Sequence, residues 1–325
     1  MVRCSAISGA IFSRHDLKKH DESGARLCAA CAGVPRGVPV LEPNIAREED
    51  LLRVHTRSHI HMIREFSSHG GLHFIDQDTY INGESFNVAS FAAGAAIDAV
   101  QHTIDGEHSF ALVRPPGHHA EPDRAMGFCI FNNAAVAASV ALDRVERVAI
   151  IDWDLHHGTG TQKIFYTDAR VLFCSIHQGN VFPYTGWVDE IGSGKGKGYT
   201  INAPLRSGST IADYRFVFER VFYPALEQFR PDVVIVSAGQ DALSDDPKSG
   251  MMLFPEDFGT LTRGVRDATD HPLALVLEGG YGPSHGDAIT AIFSALNGAP
   301  DPAEPDGEPH RTTREIVAAL SKMTI

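Results

Sequence analysis

The sequence predicts one α/β domain whose mostly parallel sheet is covered by helices on both faces. Three observations lead there. Short runs rich in β-branched residues alternate with alanine-rich or amphipathic stretches. No internal repeat or low-complexity block interrupts that alternation. Residues able to do chemistry follow apolar runs, at the carboxyl ends of strands, where parallel sheets bind ligands.

In order, residues 1–12 give a weak first strand, 13–23 a charged loop and 26–32 a short helix. Residues 33–43 are punctuated by Pro and Gly. Helical spacing covers 46–66, where His55, His59 and His61 read as surface or satisfied groups. A loop through Asp76, Asp78 and Asn82 precedes an alanine-rich helix at 86–102. Strands follow at 110–113, 148–151, 171–176, 232–237 and 273–277. Helices follow near 133–142, 162–166, 211–229, 255–268 and up to 296. Residues 179–198 are a glycine-rich connection. A Pro/Asp/Glu-rich linker and a terminal helix occupy 297–325, so 1–325 forms a single catalytic domain.

A length of 325 residues with 43% hydrophobic side chains suits a large buried core. The net charge of -13 opposes binding to nucleic acid or anionic membrane. No run approaches a membrane span, and no leader pattern is visible, so a cytoplasmic location is expected. Cys4, Cys28, Cys31, Cys129 and Cys174 are scattered and read as small apolar fillers in a reducing compartment. The oligomeric state is not encoded legibly; an oligomer is possible.

The chemistry concentrates in VAIIDWDLHHGTG, residues 148–160. Asp152, Asp154 and His156 alternate, so an extended chain aims them to one side. Two carboxylates and an imidazole together call for a cation, and zinc accepts that oxygen–nitrogen mixture. The plainer reading, a helix cap beside surface histidines, fits a buried, glycine-bounded motif poorly. Asp241, after the strand DVVIVS, is the candidate third ligand beside Asp154 and His156, leaving a position open for water and substrate. Asp152 remains to hold a histidine or a second cation, while Asp245 and Asp246 read as solvated loop charges. His118 and His119 follow a rigid Pro-Pro-Gly turn and suit proton transfer. Tyr281, after Gly279 and Gly280, can offer its hydroxyl to an oxyanion. Together these parts describe metal-assisted hydrolysis of an amide-like carbonyl.

RPPGHHA, GFCIFNNAAVAA, IDWDLHHGTGTQ, VSAGQDAL and LEGGY, in this order, resemble the histone deacetylase and acetylpolyamine amidohydrolase superfamily, whose fold is arginase-like. The Trp153 form of the third motif is closer to its class II branch. The resemblance implies zinc, with ferrous iron as the alternative, on Asp154, His156 and Asp241. It implies Tyr281 polarising the acyl carbonyl, His119 as general base and acid, and His118, oriented by Asp152, as electrostatic support. It further implies structural potassium at Asp152, Asp154, His156, Ser175 and Ile176, with a second site at Phe165, Asp168, Val171 and Tyr199. Phe128, beside Gly127, and Phe182 match the walls of a tunnel that grips an acyl-lysine-like chain. The implied substrate is an acetyl-lysine protein or a small acetylated amine.

Three departures qualify this. Thr159 stands where relatives carry Asp or Asn as partner to the second histidine, which bears on His119. Lys248 occupies a tunnel-rim position that is apolar in lysine deacetylases and acidic in polyamine deacetylases; facing the mouth, it would repel a cationic tail. Residues 13–43 follow the family pattern poorly. The competing readings are a catalytically weak module that binds acyl chains or proteins, and an arginase-like ureohydrolase with two manganese ions.

Overall fold

Runs rich in Val, Ile and Leu become the central strands because β-branched side chains suit a pleated surface buried on both faces. The computed structural model of the protein describes residues 3–269, 271–300 and 307–322. Eight strands form one sheet: β1 (Cys4–Ile7), β2 (Val40–Leu41), β5 (His108–Ala111), β6 (Val148–Asp152), β7 (Val171–Gln178), β8 (Thr200–Leu205), β9 (Val233–Ser237) and β10 (Leu273–Val276). Their order is β2-β1-β5-β10-β9-β6-β7-β8, and every pairing is parallel. Separately, β3 (Leu72–Phe74) and β4 (Tyr80–Asn82) make an antiparallel hairpin. Every residue of β6, β9 and β10 is buried. Trimming a side chain such as Ile150 to Ala would cost about 2–5 kcal/mol.

Helices cover both faces. Helix α4 (Ser85–Ile104) packs with α5 (Asn133–Ala141), while α9 (Pro255–Thr269) packs with α10 (His285–Leu296), on which α1 (Gly24–Ala32) rests. Rings bridge the layers at Phe110 with Phe293 and at Trp153 with Phe258.

Three expected elements differ, and β8 is a strand the sequence reading lacks. The single helix over 46–66 is two, α2 (Glu48–Leu51) and α3 (Arg57–Ser68). Thr56 divides them: its N–H donates to the Pro122 carbonyl at 2.7 Å, and its hydroxyl caps the His59 N–H. The loop through Asp76 holds the β3–β4 hairpin, whose residues lack a clean alternation. Strand β8 is absent from the sequence reading because its segment TINAPL carries Asn202 and Pro204. Proline is tolerated there because β8 is an edge strand. The helix over 211–229 is α7 (Ile211–Val217), a π-turn at Phe218–Phe222 and α8 (Tyr223–Phe229), the turn preceding Pro224 at the start of α8. Short helix α6 (Thr159–Phe165) follows the Asp152–His157 stretch.

The terminal helix α11 (Arg311–Leu320) docks on buried Asp213. That carboxylate accepts from the His310 N–H at 2.7 Å and the Thr313 hydroxyl at 2.6 Å. Residues 301–306 of the expected linker lie outside the described residues. All five cysteines are free, but Cys28 is exposed, so it is no core filler. Among the described residues no helix is long and apolar enough to cross a membrane.

Candidate metal centre and tunnel

The chemistry-bearing residues follow β5, β6, β9 and β10, which are the four adjacent central strands in the order β5-β10-β9-β6. Chain segments far apart in sequence therefore end side by side. One cavity of about 370 Å³ is lined by His118, His119, Asp154, His156, Asp241, Gly279 and Tyr281 at its floor. Phe128, Gly127, Phe182 and Lys248 line it further out. The four expected tunnel residues thus share the cavity of the expected catalytic ones.

Asp154, His156 and Asp241 offer ligand atoms that all lie within 4.8 Å of one another. His156 Nδ1 sits 3.3 Å from Asp154 Oδ1 and 3.0 Å from Asp241 Oδ2. Strand alternation is not what gathers them, because β6 ends at Asp152 and the chain turns beyond it. Backbone donors shape that turn: the His156 N–H binds Asp154 at 2.9 Å, and the Leu155 N–H binds Asp241 at 2.8 Å. Gly279 is required here. A Cβ on it would meet Asp154 Oδ2 at 2.7 Å, and its N–H donates to that same oxygen at 2.7 Å.

The charge balance fits a cation. Burial alone would push the His156 imidazole down, yet hydrogen bonding to Asp154 and Asp241 raises it to about 10. Burial and repulsion from Asp154 lift the Asp241 carboxyl to about 7. Two buried carboxylates around one imidazole therefore lack positive charge, and an oxygen–nitrogen donor set of this size suits a divalent ion.

Asp152 takes the other role read for it, donating no ligand to that cluster and instead pairing with His118 Nδ1 at 3.0 Å. Burial opposes a charge on His118, but Asp154 and Asp152 hold its pKa well above the ordinary value. For His119 burial lowers the pKa, and His118 and His156 push it further down; the opposing pull of Asp154 is too weak to keep it from falling well below 6.5. His119 Nδ1 is buried with no hydrogen-bond partner, and Thr159, at the first turn of α6, makes no hydrogen bond to it. The two rings lie 4.0 Å apart, so adjacent histidines are held in opposite protonation states.

At the tunnel, the Phe182 ring meets the His119 ring edge-on at 5.0 Å, and Phe128 meets Tyr281 at 5.7 Å. A Cβ on Gly127 would strike His119 at 2.6 Å, and its φ of +56° also favours glycine. Phe128 itself has φ +69°, held by its N–H to the Thr79 hydroxyl at 3.0 Å. Lys248 faces the mouth: its Nζ is 2.6 Å from Asp21 and 5.9 Å from the Phe128 ring centre. Asp21 offsets the charge with which Lys248 was expected to repel cationic tails.

Of the expected potassium positions, Ser175 pairs with Asp152 across the β6–β7 ladder, and its hydroxyl meets His177 Nδ1 at 2.9 Å. Ile176 is buried in β7. Asp168, expected near a second ion with Phe165, Val171 and Tyr199, is bound by Arg170 at 2.6 Å.

Sequence reasoning missed several supports. Asp246 is no solvated loop charge: it is buried and accepts the N–H groups of Tyr281 at 2.5 Å and Gly282 at 2.9 Å. Asp245 binds the Ser284 hydroxyl at 2.6 Å. Glu278 is fully buried and accepts the N–H groups of Gly117 at 2.6 Å and His118 at 3.1 Å. Burial pushes its pKa up to about 7. Arg26 donates to the Gly280 carbonyl at 2.7 Å, with its guanidinium 5.0 Å from the Tyr281 ring centre. Glu22 binds Arg114 at 2.7 Å, tying the 13–23 loop to the start of the double-histidine turn. The available signal was a charged residue ending an apolar run, as at Arg114 and Glu278. A second acidic–imidazole–thiol group, His118, Cys129 and Glu278, has its partners already engaged, and burial holds the Cys129 thiol protonated.

Residues 17–296 match the family described as histone deacetylase domain. The chain belongs to the histone deacetylase family. It is 39% identical over 324 residues to a probable deacetylase of Methanothermobacter thermautotrophicus, covering 95% of each. It is 43% identical over 251 residues to a probable deacetylase of Archaeoglobus fulgidus, covering 75% of this chain and 69% of the relative. A histone deacetylase-like amidohydrolase of Pseudomonas aeruginosa is 42% identical over 250 residues, 74% of this chain and 65% of that one. Among solved structures, the HDA15 HD domain superposes with a TM-score of 0.92 at 33% identity, covering 99% of this chain and 95% of that one. The parallel sheet with helices on both faces is the fold of this family.

Proposed function

We propose that this family hydrolase is a zinc-dependent deacetylase that cleaves an N-acetyl amide, in acetyl-lysine or in a small acetylated amine. One observation carries the reading: a three-ligand cluster, a histidine pair held in opposite protonation states, and a tyrosine line the floor of one aromatic-walled cavity. Asp154, His156 and Asp241 would hold the ion, which supplies Lewis acidity and makes water nucleophilic near neutral pH. Potassium near Asp152, Ser175 and Ile176 is part of the same proposal, in a structural role.

Phe128 and Phe182 bind the apolar stem of the substrate and exclude water from the floor. His119, neutral through burial, accepts a proton as water attacks and returns it to the leaving amine. His118, kept protonated through Asp152, offsets the negative charge that develops. The Tyr281 hydroxyl donates to the oxyanion; burial keeps it protonated, and Asp246 and Arg26 fix its backbone and ring. An arginase-like site would want another carboxylate bridging two ions, but Asp152 is committed to His118.

The test is acetate release by the zinc-loaded chain from an acetyl-lysine peptide and from acetylputrescine. Turnover should fall about 10²–10⁴-fold in His119→Ala with zinc still bound. A second reading, a binding module with little turnover, draws on the unpartnered Nδ1 of His119. Tight hydroxamate binding without acetate release from either substrate would select it.

A further inference from the structure

Beyond the tunnel wall at Phe182, the 179–198 connection exposes two large rings. Tyr184 is 68% exposed and Trp187 is 41% exposed. Tyr184 adopts φ +62°, a left-handed conformation that glycine takes freely and a bulky side chain resists. No burial compensates that strain, which marks the position for a role other than folding.

The rings are exposed on a rigid base. The Glu190 carboxylate accepts the N–H groups of Gly186 and Trp187 at 3.1 Å each and the Gln162 amide at 2.5 Å. His177 Nε2 meets the Gly186 carbonyl at 3.0 Å, and His157 Nδ1 meets the Thr185 hydroxyl at 2.8 Å. Gly186 lies so close to both imidazoles that a Cβ on it would meet each at 2.6 Å. The Tyr184 N–H closes the turn onto the Val181 carbonyl at 2.8 Å. Two aromatic faces with few rotatable bonds, on a fastened loop, bind at low entropic cost.

We propose that Tyr184 and Trp187 form a ledge that docks the polypeptide flanking an acyl-lysine. The inference rests on the deacetylase reading and selects its substrate class. A small acetylated amine ends within the tunnel, and neither ring lines that cavity. Only a chain continuing past the lysine Cα extends outside it. Phe182 belongs both to the cavity wall and to the loop that carries the two rings, two residues before Tyr184. Exposed rings on a chain of net charge -13 favour cationic neighbours, and the Lys248 charge at the rim is countered by Asp21.

The decisive variant is Tyr184→Gly in the full zinc-loaded chain. It should raise KM about 3–10-fold for a short peptide with acetyl-lysine between arginines, leaving kcat unchanged. The KM for acetylputrescine should stay the same. Relief of the left-handed strain should also raise Tm by about 1–3 °C, which a merely structural tyrosine would not allow. Tryptophan emission gives a second reading, since Trp153 is fully buried and only Trp187 is exposed. In zinc-loaded His119→Ala, the peptide should shift that emission and acetylputrescine should not. Equal KM changes for both substrates, no change for either, or an unmoved emission would overturn the ledge. If wild-type chain releases no acetate from either substrate while the peptide still shifts Trp187, the ledge stands and the deacetylase reading falls. If both signals are absent, both fall.

Discussion

Two sets of buried histidines in this chain respond to burial in opposite ways. On the flank formed by α2 and α3, His55 and His59 lie 5.1 Å apart and bond to the Glu121 and Ile130 carbonyls. Burial drives His55 down to about 3, and His59 is lowered too. Beyond the carboxyl ends of β5 and β6, His118 is buried as deeply and His156 largely so, yet both are raised. The difference lies in the company: carbonyl oxygens on the flank, ionised carboxylates at the centre. A fold that only needed to bury imidazoles would follow the flank. The centre gathers negative charge against the cost of burial, and such an arrangement stores destabilisation where a ligand can relieve it.

The strongest way to break the comparison is Asp241→Asn. It should cut turnover more than about 10³-fold by removing a ligand. It should also leave the metal-free chain as stable as wild type or more so in urea titrations, because one of two repelling carboxylates is gone. A clear loss of metal-free stability would show that Asp241 is structural.

Acid should expose the flank's side of the contrast. His15 and His108 fall to about 4, and His55 and His285 to about 3, in each case through burial first. Their folded pKa values lie below the unfolded value of about 6.5, so the unfolded chain takes up protons that the folded chain refuses. Stability contributed by these four histidines should therefore decline as pH falls from about 6.5 through the folded values of about 3–4. A urea midpoint unchanged between pH 7 and 4.5 would contradict this.

The smallest effect belongs to the rim. Asp21→Asn should free the Lys248 ammonium and raise KM for acetylputrescine about 2–3-fold, since exposed pairs are worth little. The acetyl-lysine peptide should respond less.

Much of this was legible in the sequence because strand ends announce themselves. VAIID ends at Asp152, DVVIVS runs into Ala-Gly and LALVLEGG ends in glycine, and Asp154, His156, Asp241 and Tyr281 stand just beyond those ends. What escaped depends on contacts between distant segments. Asp246 looks like its neighbour Asp245, and only the fold decides which of them reaches the Tyr281 amide. Arg26 and Glu22 come from a weakly patterned stretch, and their partners lie roughly 90 to 250 residues away. Strand β8 hid because an edge strand tolerates Asn and Pro. The hairpin hid because three-residue strands carry too little periodicity.

The place of β10 in the sheet also governs how the chain is made. It lies between β5 and β9, so the strands before it form two separate half-sheets, β2-β1-β5 and β9-β6-β7-β8, each with an open edge. A ribosome delivering residues N-terminus first, at about 5–20 per second, leaves those edges unjoined until Leu273–Val276 emerges. Such edges invite pairing with other chains. Tyr281 arrives immediately after the strand that closes the gap, so the reactive centre is completed only once the sheet itself is whole.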